Sequence, residues 1–129
     1  MTDVAEADRD ATRVIFSLLV NSNEAIDRLA ELATARRSPE PDDDFLYTIS
    51  KVSFSEDDWQ VRADRLDEAV SAALDRLEAT GVDLELLATD GVFVRAFFTF
   101  SPGAETISAN LVARLARVHA TIWIEADEV

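Results

Sequence analysis

Runs of β-branched and aromatic residues alternate along this chain with segments whose apolar residues recur every three or four positions. That alternation constrains the fold more than any other feature, because a helix period cannot sit still as a strand, nor a strand period as a helix. The clearest segment carries Leu66, Ala69, Val70, Ala73, Leu74 and Leu77 on one helical stripe. It predicts a helix capped by Asp64 and closed by Gly81 in the left-handed position that ends such helices.

Four runs predict strands: Thr12 to Val20, Phe45 to Phe54, Val92 to Phe100 and Thr121 to Ala126. In the first, Val14, Phe16, Leu18 and Val20 share a face while Ile15 and Leu19 occupy the other, which predicts a central strand covered on both sides, at least in part. Asn21 or Ser22, with Glu24, offers a capping box for a helix carrying Ile26, Leu29, Ala30 and Ala33 that stops before Pro39. A further helix is expected from Ile107 to Val118, facing the core with Leu111, Leu115 and Val118. Trp59 to Arg62 reads as a short strand paired with the second, and Leu84 to Leu87 as a short strand or packed loop.

This order predicts an α+β fold, a ferredoxin-like split βαβ sandwich. Its sheet would be mainly antiparallel, of four or five strands, with helices mostly on one face and an extra helix in the middle connection. Residues 1–11 carry four acids and one arginine among small residues and read as a disordered tail. Residues 12–129 read as a single domain, long enough to bury a core without disulfides or metals.

Composition narrows the function. The chain holds 26 acidic and 12 basic residues, a net charge of −14, which repels phosphate backbones and argues against nucleic acid. Lys51 is the one lysine, which fits a GC-rich genome or adaptation to salt. No cysteine supplies a disulfide, a thiolate ligand or a thiol nucleophile. No apolar run is long enough to span a bilayer and no leader is recognisable, so a cytoplasmic protein that does not enter membranes is expected. Gly81, Gly91 and Gly103 are scattered and form no phosphate cradle, so no cofactor is expected. His119 has no serine, second histidine or carboxylate beside it in any motif and reads as structural or superficial. No catalytic residue and no metal ligand set can be named, since adjacent acids lack the alternating oxygens of a calcium loop.

Two groups remain as candidate sites. Asp42, Asp43, Asp44, Glu56, Asp57 and Asp58, with Trp59 beside them, would meet a basic protein partner or simply be solvated loop charge. Arg13, Lys51 and Arg95, each mid-strand, would receive an anionic ligand on a sheet face, Arg95 sharing its side with Phe93 and Phe97. The plainer reading of those cations is a half-exposed face whose long stems lie along apolar surface. Trp59 and Trp123 read chiefly as core anchors, with an interface role as the alternative.

Three segments, TRVIFSLLVNSNEAIDRLAEL, WQVRADRLDEAVSAALDRLE and LVARLARVHATIWIEAD, follow one another in an order that resembles the uncharacterised bacterial family known as domain of unknown function 4279. The resemblance spans nearly the whole chain and rests on apolar patterns. This chain departs from it at SPEPDDD, where the family tends to carry a glycine. The resemblance implies a compact α+β domain with no catalytic residue to carry over, and makes an immunity-type protein plausible. The expected function is therefore a non-enzymatic acidic protein-binding module, of the immunity type or otherwise, that covers a basic partner. The alternative is a small-molecule-sensing or regulatory homodimer that binds an anionic ligand, with an enzyme as the remaining class.

Overall fold

The computed structural model describes residues 12–33, 45–101 and 106–126. Along the chain, β1 (Thr12–Ser22) is followed by a 3-10 helix (Asp27–Leu32), β2 (Phe45–Glu56), α1 (Trp59–Ala79), a short 3-10 turn (Leu86–Ala88), β3 (Val92–Ser101), α2 (Ala109–Arg117) and β4 (Ala120–Ala126). The four strands form one sheet in the order β2-β1-β3-β4. β1 is antiparallel to both β2 and β3, whereas β4 is parallel to β3. The sheet is therefore mixed rather than mainly antiparallel. The cause is α2: a parallel neighbour can be reached only through a crossover, and α2 is that crossover. α1 carries the chain from β2 over to β3 with β1 between them, so the helix expected as an extra one makes the split connection. The observed order opens with two strands not separated by an α-helix, unlike the β-α-β-β-α-β order of the ferredoxin-like expectation.

Both helices lie on one face of the sheet. Val14, Phe16, Leu18 and Val20 of β1 and Val94, Ala96, Phe98 and Phe100 of β3 face them and are buried, as are Leu66, Val70, Ala73, Leu74 and Leu77 of α1 and Leu111 and Leu115 of α2. β2 joins this core through one irregularity. Leu18 pairs with Ser50 and Leu19 with Thr48, so Ile49 is an extra residue, a β-bulge. Tyr47 and the bulge residue Ile49 face the core, as do Val52 and Phe54 beyond it. Strict alternation from Tyr47 would have turned Lys51 inward; the bulge turns it out.

Three expected elements form differently. β1 continues through Asn21 and Ser22, so neither caps a helix. The Ser22 hydroxyl donates instead to the carbonyl of Glu24. The segment beyond is a six-residue 3-10 helix, tied at both ends to Tyr47: the Ile26 amide donates to its hydroxyl at 2.8 Å, and Ala33 bridges its backbone. Trp59 to Arg62 is the first turn of α1 and not a strand. Its cap is Asp58 rather than Asp64, while Leu84 to Leu87, of its two expected forms, is the packed connection and not the strand, and runs into a 3-10 turn. Residues 1–11 and Asp42, Asp43 and Asp44 lie outside the described residues.

Candidate functional site

The face of the sheet turned away from the helices is the most distinctive surface. β-strand alternation puts Arg13, Ile15, Ser17 and Leu19 of β1 on it, with Phe93, Arg95, Phe97 and Thr99 of β3 and Thr121, Trp123 and Glu125 of β4. Lys51 joins them from β2 by virtue of the bulge, opposite Ser17. Phe93 and Trp123 are each 54% exposed, while Ile15, Leu19 and Phe97 are half-buried. The rings of Phe97 and Trp123 stand 5.9 Å apart and tilted, a favourable aromatic pairing. The Arg95 guanidinium lies 5.8 Å from the centre of the Phe93 ring, within reach of its negative face.

The three candidate cations thus share this face, but they do not converge. From the register, Lys51 and Arg95 are separated by two strands and two residues, about 12 Å, and Arg13 lies about 14 Å from Lys51 along β1. No single small anion can touch all three. They border an apolar and aromatic strip instead. Of the described acids, only Glu125 stands on this face; the others lie on the helices, in the connections or at the end of β2. Among the described residues, cations therefore outnumber acids on this face of a chain of net charge −14.

The acidic candidates are placed differently. Asp58 Oδ1 accepts from the amides of Gln60 at 2.9 Å and Val61 at 3.2 Å, which satisfies two of the donors that open α1. Glu56 Oε2 accepts from the Asp58 amide at 3.2 Å, and Glu56 Oε1 lies 3.9 Å from Arg65. The buried Arg62 donates to the carbonyls of Glu56 at 2.8 Å and Asp57 at 3.1 Å. Glu56 and Asp58 thus serve the start of the helix. Trp59 follows them at 62% exposure, and with Trp123 also half-exposed neither tryptophan is the core anchor expected.

His119 is exposed and adopts φ 62°, the left-handed conformation of the residue that ends a helix, with its amide donating to the Ala116 carbonyl at 3.0 Å. It is a turn residue. A depression of about 490 Å³ lies between the first 3-10 helix and the end of α1, where Asp27 and Glu31 stand beside Arg28 and Arg76. Arg114 of α2 donates to Asp75 at 2.8 Å, Glu78 at 2.9 Å and Ser71 at 3.1 Å on α1. The hydrogen bond to Asp75, with Glu78 beside it, raises the Arg114 pKa against the opposing effect of burial. Among the described residues no group of three or more His, Asp or Glu side chains is placed to hold a metal ion, and no helix is long and apolar enough to cross a membrane.

Compared with protein families, with curated proteins and with solved structures, the chain matches none. The surface has to be read from its own chemistry. Sequence reasoning placed Arg95, Phe93 and Phe97 on one side, but missed the exposure of Ile122 and Ile124 on the other side of β4. The signal was present in TIWIEA, whose apolar residues do not alternate with polar ones.

Proposed function

We propose that this protein is a non-enzymatic protein-binding module, resident in the cytoplasm, that docks its partner on the open face of the sheet. The observation that carries the reading is the strip of exposed Phe93 and Trp123 with half-buried Phe97 between them, bordered by Arg13, Lys51 and Arg95 and holding one described acid. Exposed aromatics within a continuous apolar area mark interaction surfaces. Cations spaced about 12 to 21 Å apart fit a partner segment that brings several carboxylates around an apolar centre, not one small anion. The partner class is accordingly an acidic and partly apolar protein segment. This stands closer to the expectation built on Arg13, Lys51 and Arg95 than to a basic partner held by Glu56, Asp57 and Asp58. Two of those three acids are already engaged in capping and anchoring α1.

The test compares three immobilised proteins in the same native lysate: the wild type, a face variant (Phe93→Ser with Arg95→Glu), and a helix-layer variant (Asp64→Arg with Glu68→Arg). A partner retained by the wild type and the helix-layer variant, lost by the face variant and released by salt is the expected result. A partner lost only with the helix-layer variant returns the site to the acidic surface and the partner to a basic protein.

A further inference from the structure

The two edges of the sheet are unlike. β2 is blunted: the bulge at Ile49 breaks its ladder, and Ala33 bridges Tyr47. β4 has neither device. Its seven residues run in unbroken register beside β3, and among the described residues no strand lies on the other side. It is also apolar on both faces. Trp123 stands on the open face, while Ile122 and Ile124, opposite the buried Ala96 and Phe98, face the helix layer yet remain 37% and 58% exposed. An exposed edge of this kind is a template for another strand.

We infer that β4 pairs antiparallel with β4 of a second copy of this chain, joining two four-stranded sheets into one of eight strands. The sequence of β4 argues for its own copy as the occupant. The register that pairs all seven residues of Ala120–Ala126 is centred on Trp123. It sets Trp123 against Trp123 of the second copy and each Ile122 against the other copy's Ile124, so apolar side chains match on both faces. On the open face it sets Thr121 against Glu125 of the second copy. Arg95 lies on the other side of Thr121, so Arg95 and that glutamate flank a short threonine about 9.5 Å apart in backbone position. Their long side chains can meet over it, twice by symmetry. Among the described residues Glu125 has no ion-pair partner in its own chain. Stacking of two open faces is the poorer arrangement, because it would bring together six cations with Glu125 of each copy as the one described acid to offset them. An edge-to-edge contact buries less than a standard interface, so the dimer is a concentration-dependent one.

The inference does not depend on the docking role of the open face, and its test reads mass alone. Sedimentation equilibrium of the full chain over a concentration series should show a mass rising from 14.2 kDa towards twice that value at high micromolar concentration. Ile124→Lys, which sets two lysines against apolar neighbours, should weaken association about a hundredfold. Trp59→Lys, at the distant start of α1, should leave it unchanged. Arg95→Glu should weaken it about tenfold, and Arg95→Glu with Glu125→Arg should return it to within about threefold of wild type. A wild type that stays monomeric, a dimer indifferent to Ile124→Lys, or a charge exchange that fails to restore association would each overturn the pairing.

Discussion

At the scale of single residues, several positions do structural work that their chemistry alone does not announce. His119 holds a left-handed backbone conformation that costs an ordinary side chain more than glycine. His119→Gly should therefore stabilise the fold, by about 0.5 kcal/mol once glycine's larger loss of backbone freedom is set against the relieved strain. Urea unfolding would show this as a higher midpoint. Tyr47 acts in the opposite sense: its buried hydroxyl is the acceptor for the Ile26 amide. Tyr47→Phe keeps the ring and orphans that amide, so a loss of about 1–2 kcal/mol is expected in the same assay. Asp58 and Asp64 separate the observed cap from the expected one. Asp58→Ala should cost about 1 kcal/mol by thermal unfolding, and Asp64→Ala close to nothing.

At the scale of elements, the parts that were legible are those whose period is carried by side chains alone. Strand alternation placed all four main strands, and the stripe from Leu66 to Leu77 placed most of α1. The first turn of α1 was hidden because Arg62 occupies a core-side position four residues before Leu66. Its buried guanidinium is satisfied by two carbonyls across the turn, which a sequence pattern does not display. The 3-10 helix was read as an α-helix from Ile26, Leu29, Ala30 and Ala33, yet the residues turned inward are Ile26, Leu29 and, in part, Leu32. Their spacing of three is the 3-10 period and was there to be read. Strand order was not legible, since local sequence does not say whether a helical crossover returns to the next place in the sheet or the one beyond. Nor was the bulge at Ile49, without which Lys51 would not share a face with Arg95. The two helices are clasped by Arg114 through Asp75, Glu78 and Ser71. Arg114→Ala should cost about 1 kcal/mol. Because its pKa is raised in the folded state, that contribution is complete below the ordinary arginine value and is lost only as pH climbs through the still higher folded value. Wild type minus variant stability should accordingly stay level from neutral to mildly alkaline pH in denaturant titrations.

At the scale of the whole molecule, charge is divided between two surfaces. The helix layer and connections carry nearly all the described acids, while the open face of the sheet carries aromatic rings, three cations and Glu125. Net charge describes the first surface and conceals the second, which composition alone does not display. On the proposed reading, one layer carries the long-range repulsion and the other the close-range recognition. The two tryptophans report on these surfaces separately: Trp123 lies on the open face, and Trp59 beside the acidic cap of α1. The most direct measurement is therefore a nitrogen-15 NMR titration of the labelled protein with its captured partner, following the two indole N–H signals. Docking on the sheet predicts that the Trp123 signal shifts or broadens, together with the amides of β1 and β3, while Trp59 stays in place. A response confined to Trp59 and the first turns of α1 would contradict the account.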